Sequence, residues 1–379
     1  MNKYIEYYSK KNVSPVKQDI SDISGHIERR LALYRLLGVT PATLKGSRVL
    51  EVGPGSGYNS VVTASCKPAE YSLVEPNLTG YREMLELFGR FDFSGTRLSF
   101  NNVTLENFNE KPFDVVLCEG LIPGLDDKAG FLKKLTCFAE DKGSVLVITC
   151  IDTISIFFEN ARRYLAKKII DKHGITDFDK QVDHLCVIFE KHLKTLKGVT
   201  RFTTDWVIDA ILNPAAANHD FSFRDAMEVL RDDFFFLGAS PDIFTNTVWY
   251  KNLPHDPKDY NNIYETQFAE LWHNLIHYKI SEQPREAEKN IKLFNICTEF
   301  NDAINKNIFE NADNDGKIIS LLSDAAENLS SAANVYEAIR QFTDILNSEC
   351  FNADEMMQKY PLFCEAFGRG QQYFSFVRK

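Results

Sequence analysis

Apolar residues fall into two alternating patterns along the first 150 positions: short runs of four to seven residues, continuous or alternating with polar ones, and longer stretches with helical spacing. The runs at 49–52, 70–75, 97–101, 114–118 and 144–150 read as strands, and a helix over roughly 79–91 separates the second from the third. Strands alternating with helices predict an α/β fold built on a doubly wound, mostly parallel sheet. Ahead of them, Ile27, Leu31, Tyr34 and Leu37 recur at helical spacing over Ser24–Leu37, and Gly38 stops the helix.

Beyond the fifth strand the pattern changes. Helical spacing covers 154–170, 177–197 and Ser222–Arg231; then Phe234–Gly238 and Asn246–Tyr250 read as a sixth and a seventh strand, the seventh antiparallel to the others. Residues 152–220 thus form an insertion after the fifth strand, where insertions sit over the ligand crevice of α/β folds. From 254 to 379 the chain reads as all helix, with stripes such as Leu293, Cys297, Phe300 and Ile304, or Val335, Ile339, Phe342 and Leu346. Three zones follow: a helical lead-in over 1–46, an α/β domain over 47–253 carrying the insertion, and a helical domain over 254–379.

The text between the first strand and the next helix carries the chemistry. Glu51-Val52-Gly53-Pro54-Gly55-Ser56-Gly57-Tyr58 has glycines at alternate positions, and Tyr58 stands where a dinucleotide fingerprint needs its third glycine. Glycines let backbone bend sharply and approach a ligand without a Cβ in the way, and the helix that follows offers free N–H groups to a carboxylate. Glu75 ends the second strand about 20 residues later, where nucleotide-binding folds place an acid on ribose hydroxyls.

Taken together, E-x-G-x-G-x-G, Glu75 and the segment Asn102–Phe108 before Phe113-Asp114 resemble the motifs of class I S-adenosylmethionine-dependent methyltransferases. More loosely, Phe157-Phe158-Glu159-Asn160-Ala161-Arg162-Arg163 is similar to bacterial methyltransferases of surface polysaccharides or small molecules. The resemblance implies a seven-stranded sheet. It implies S-adenosyl-L-methionine as cofactor, leaving S-adenosyl-L-homocysteine as product. It assigns the cofactor to Glu51, Gly53, Pro54, Gly55, Gly57 and Asn59 in the first motif, Glu75 and Pro76 after the second strand, Asn102 and Val103 beside the adenine, and Cys118 and Glu119 after the fourth strand. Asn102 replaces the usual aspartate there and keeps an amide oxygen for the adenine amino group.

Methyl transfer to a hydroxyl gains from a general base. Glu119 is the acid placed just past the fourth strand; Asp152 at the end of the fifth and His26 in the lead-in helix are further catalytic candidates. Tyr4, Tyr7 and Tyr8 lie before that helix and read as packing or surface. Within the insertion, Leu196–Arg201 with Thr204-Asp205-Trp206 is the least generic text, and Arg201, Asp205 and Trp206 are candidates to orient a hydroxylated substrate, or else helix-capping residues.

Charge narrows the substrate. The chain of 379 residues has a net charge of −10, and residues 254–379 hold 12 Lys/Arg against 20 Asp/Glu. Such a surface repels a polyanion, which argues against nucleic acid. Eight scattered cysteines without a C-x-x-C pair suggest neither zinc nor disulfides, and the absence of an apolar leader or span suggests a cytoplasmic protein. Three classes remain: a methyltransferase acting on a small molecule or carbohydrate, a protein methyltransferase whose helical region holds its target, and a non-catalytic protein with a cofactor-shaped pocket. The C-terminal helices are candidates for a homodimer or partner interface.

Overall fold

The computed structural model describes Tyr7, residues 19–214 and residues 220–379; Tyr4 and Tyr8 lie outside the described residues. Contacts divide the chain into two compact units, the first drawn from 1–151, 220–268 and 371–379, the second from 152–219 and 269–370. This division differs from the three zones: the insertion and most of the C-terminal helices form one unit, because their apolar stripes pack on each other.

The first unit holds a seven-stranded sheet: β1 (Arg48–Val52), β2 (Glu70–Val74), β3 (Arg97–Asn101), β4 (Val115–Cys118), β5 (Val145–Ile151), β6 (Phe234–Ser240) and β7 (Gln371–Arg378). Their order is β3-β2-β1-β4-β5-β7-β6. Strands β1 to β5 pair in parallel, and β7 runs antiparallel between β5 and β6. Position in the sheet explains the sequence of each strand. The four residues of β4 are all buried, as are six of the seven in β5, because helices cover both faces of a central parallel strand. Edge strand β6 instead alternates, with Phe234 and Phe236 inward and Leu237 exposed.

The seventh strand is not the one expected. Residues 246–250 form no strand, and Trp249 and Tyr250 are 59% and 68% exposed. The place is taken by the C-terminal segment, where Gln372, Phe374 and Phe376 alternate inward and each residue of Gln371–Val377 has a partner on β5. Residues 254–379 are therefore not all helix. A ladder on each side of β7 stabilises it, whereas 246–250 pairs with no strand among the described residues.

The helix Ile23–Leu36 packs against this sheet. Gly238 on β6 lies so close to it that a Cβ there would sit 2.2 Å from the Leu36 carbonyl oxygen, and Ser375 on β7 donates to the Leu37 carbonyl at 2.7 Å. Its inward face carries His26, Arg30 and Tyr34. Ile27 and Leu31, read from the periodicity as the apolar stripe, are only partly buried at its flank.

The second unit is helical. Phe157–His173 and Phe178–Leu193 pack with Ala287–Glu310, Asp315–Asn328, Ala333–Ser348 and the short Pro361–Glu365. Its core contains Leu293, Cys297, Phe300 and Ile304 as the spacing predicts, with Phe157 stacked on Phe300 at 4.8 Å. Arg162 is fully buried, and its guanidinium donates to the carbonyls of Phe158, Phe363, Cys364 and Ala366. No helix among the described residues is long and apolar enough to cross a membrane.

Ending the chain at Gly370 removes β7 and leaves both β5 and β6 with unpaired ladders. Loss of the cooperative thermal transition, followed by circular dichroism, is the expected result, since unpaired buried peptide groups each cost about 1–3 kcal/mol.

Candidate functional site

Strand order reverses between β1 and β4, so the carboxyl ends of these two strands open the crevice at which α/β sheets bind ligands. The glycine turn leaves β1 here, and Glu119-Gly120 leaves β4. Gly53, Gly55 and Gly57 all have positive φ, at +77°, +58° and +77°. Their surroundings differ. A Cβ on Gly57 would sit 2.9 Å from Met84, and one on Gly53 would sit 3.1 Å from Leu121, whereas one on Gly55 would meet nothing within 4 Å. Gly57 and Gly53 serve packing; Gly55 borders open space.

Glu75 holds this turn from the end of β2. One carboxylate oxygen accepts from the Gly55 N–H at 2.8 Å and the other from the Asn77 N–H at 2.8 Å. Burial raises its pKa, and the two N–H donors oppose that rise. Asn102 donates its amide to the carbonyls of Glu75 and Pro76 at 2.8 and 3.3 Å, which keeps its amide oxygen for other partners. Val103 follows, half-buried. Pro54 lies within the turn and its carbonyl accepts from Gly57. Asn59, next to the turn, has a buried side-chain oxygen with no hydrogen-bond partner among the described residues.

Glu51 points into the core instead of outward. Its carboxylate accepts from Ser60 at 3.0 Å and from the Tyr71 hydroxyl, and it is 5% exposed. Burial, reinforced by the nearby Glu119 charge, pushes its pKa up to about 7. Cys118 is fully buried, and its thiol is pushed far up by burial, which suits a packing residue.

The three catalytic candidates are all engaged. Both oxygens of Glu119 accept from Arg30 Nη2, at 2.7 and 2.8 Å, in a pair whose side chains are less than a tenth exposed. Arg30 also donates to the Tyr34 hydroxyl at 3.1 Å, and Tyr34 meets Thr63 at 2.9 Å. Tyr373 of β7 lies against the same pair, pushed up to about 12 by burial and by Glu119. His26 Nε2 donates to the Tyr58 carbonyl at 3.0 Å, pinning the lead-in helix to the glycine turn, and burial lowers its pKa. Asp152 belongs to the second unit, fully buried, accepting from the Ile154 N–H at 2.8 Å and from Trp272 Nε1 at 2.7 Å. None of these groups is an unengaged base.

Arg201, Asp205 and Trp206 are likewise in the second unit. Arg201 pairs with Asp209 at 2.5 Å. Asp205 and Trp206 lie in the short helix Thr203–Trp206, whose first position no side chain caps. Hydrophobic periodicity does not reveal Arg30 and its partners. The available signal is that Arg30 sits four residues from both His26 and Tyr34, on the buried face, and a buried arginine needs an acid or a set of carbonyls.

No family model matches this chain, and no curated protein matches it. Among solved structures it is similar to the cyclase SpnF, with 14% identity over 32% of this chain and 44% of that one and a TM-score of 0.28. It is similar to magnesium protoporphyrin IX methyltransferase from Synechocystis PCC 6803 with bound SAM, with 18% identity over 34% and 60% and a TM-score of 0.29. A third likeness is to the CcbJ methyltransferase from Streptomyces caelestis, with 17% identity over 34% and 50% and a TM-score of 0.27. This chain thus spans 44% to 60% of the length of those proteins. The sheet, with its antiparallel seventh strand between the fifth and sixth, has the class I methyltransferase fold.

Removing one partner of a buried pair leaves the other uncompensated. Arg30→Met is expected to destabilise the protein by about 3–5 kcal/mol, read as a shift in urea midpoint, and Arg30→Met/Glu119→Met to recover much of that loss. Glu51 has a folded pKa above its unfolded value, so its contribution to stability is full below about pH 4.5 and lost as pH rises through about 7. Glu51→Gln should therefore lose less stability than the native chain between those limits, in melts taken across the range.

Proposed function

We propose that this chain binds S-adenosyl-L-methionine at the glycine turn and transfers its methyl group to a hydroxyl of a small molecule or carbohydrate. The observation that carries the reading is the cradle at Gly55: positive φ, open space where a side chain would stand, and the Glu75 carboxylate fixed beside it by the Gly55 N–H itself. Each Glu75 oxygen uses one lone pair on a backbone N–H and retains another, which suits two neighbouring ribose hydroxyls. The orphaned Asn59 oxygen supplies an acceptor at the turn, and the Asn102 amide oxygen supplies one beyond β2. Glu51 keeps the turn in place from behind, through Ser60 and Tyr71.

The cofactor supplies an electrophilic methyl carbon on a sulfonium. The chain's part is to align an acceptor with it and keep water away, and alignment alone accounts for a large share of such rate enhancements. Glu119 acts in this reading as the partner of Arg30 and fixes the lead-in helix to the end of β4; it is not the base. The acidic surface over 254–379 supports an acceptor that is not a polyanion.

Calorimetry with S-adenosylhomocysteine tests the cofactor. A folded protein that shows no binding overturns the proposal. Gly55→Ala is expected to cost about 1–2 kcal/mol in stability from its left-handed backbone and to weaken the ligand at least roughly tenfold more than that strain explains, since the added Cβ enters the cradle. Radiolabelled methyl should appear in a small-molecule fraction of a cell extract; label in protein instead would identify a protein methyltransferase. Glu119→Gln, corrected for the fraction folded, should keep methyl transfer within about tenfold of native, whereas loss of a general base typically costs about 10²–10⁴.

A further inference from the structure

The second unit contains a cleft of about 470 Å³, inside the range of roughly 300–1,000 Å³ usual for small-molecule sites. Glu159, Thr200, Arg201, Trp206, Tyr278 and Phe367 are among its lining residues, with glycines at 198, 368 and 370 completing the wall. The methyl-transfer chemistry above makes no use of Glu159.

Its guanidinium groups are already engaged within the fold. Arg201 faces Asp209 at 2.5 Å. Arg369 donates to the carbonyls of Asn274, His277, Tyr278 and Ile280. Glu159 differs. Its Oε2 is buried and has no hydrogen-bond partner among the described residues. Burial raises the pKa of this carboxyl, against the opposing pull of Arg162, its own backbone N–H and that of Gly368. An unpartnered buried carboxylate oxygen is costly, and a donor from a ligand relieves the cost.

We propose that this cleft binds a neutral polyhydroxylated molecule, a sugar or polyol, with Glu159 as the acceptor for a ligand hydroxyl and Trp206 as an apolar wall. Neutrality follows from these contacts: a charged ligand would have to break the Arg201–Asp209 pair or draw Arg369 away from its carbonyls. Hydroxyls follow from the unused acceptor, and a ring with apolar C–H faces suits the aromatic lining. The proposal goes beyond the acceptor reading given above, and binding at this cleft is independent of methyl transfer.

The experiment titrates the full chain with glucose, mannose, arabinose and myo-inositol, and with gluconate and glucosamine as charged counterparts, by calorimetry and tryptophan fluorescence. At least one neutral member is expected to bind, more tightly than its charged counterpart, and to change the emission, a change absent in Trp206→Phe. Glu159→Gln should weaken that ligand roughly ten- to a hundredfold with its thermal transition retained. If Glu159→Gln fails to fold, deoxy analogues of the bound sugar on the unaltered chain replace it, and one missing hydroxyl should cost a similar factor. Absence of binding by every neutral member, tighter binding of the charged ones, or an affinity indifferent to both Glu159→Gln and deoxygenation overturns the assignment. S-adenosylhomocysteine binding in the same samples separates failure of this cleft from failure of the cofactor reading.

Discussion

Three carboxylates, Glu51, Glu75 and Glu119, are buried around one glycine turn, and the surrounding structure is arranged to keep each of them compensated. Burying a carboxylate without a partner is costly against the marginal stability of a folded domain. Each acid therefore recruits a different element. Glu75 draws the Gly55 and Asn77 N–H groups to itself and so sets the turn. Glu51 takes hydroxyls from Ser60 and from Tyr71 on the neighbouring strand. Glu119 takes Arg30, which obliges the helix Ile23–Leu36 to lie where it does.

That requirement reaches the far side of the sheet. Tyr373 on β7 belongs to the surroundings of the Arg30–Glu119 pair, and Ser375 two residues on holds the end of the same helix through the Leu37 carbonyl. The first described helix and the last strand of the chain thus meet at one site. The chain leaves the first unit after Ile151, returns at 220, leaves again after Phe268 and returns for β7. β7 thus completes the sheet, and the crevice at β1 and β4 is supported by segments far apart in sequence.

The central strands β1, β4 and β5 are legible because buried parallel strands read as apolar runs, β3 by its alternation, and the glycine turn because its positive φ values favour glycine. Glu75 was legible by its distance from that turn. Val248-Trp249-Tyr250 has a strand's composition and forms no strand, while Tyr373–Val377, which does, follows a long helical stretch. Composition does not record which segment finds a ladder. Periodicity ranks apolar positions and gives no weight to Arg30, because the inward face of its helix is polar. The Arg30–Glu119 pair is not legible either, since a carboxylate beside a crevice and a carboxylate locked to an arginine look the same in one dimension.

By itself the sequence determined the kind of sheet, the position of the crevice and the turn that a nucleoside-like ligand would meet, because these depend on local rules: strand periodicity, glycine's access to positive φ, and the reach of a carboxylate one strand away. Only the tertiary structure decided which strand closes the sheet, which residues form the second unit, and which acids are free to act. Those outcomes depend on partners hundreds of positions apart. A buried charge or an unpaired strand is resolved by whatever the fold brings within hydrogen-bonding distance, and only the folded chain specifies that distance.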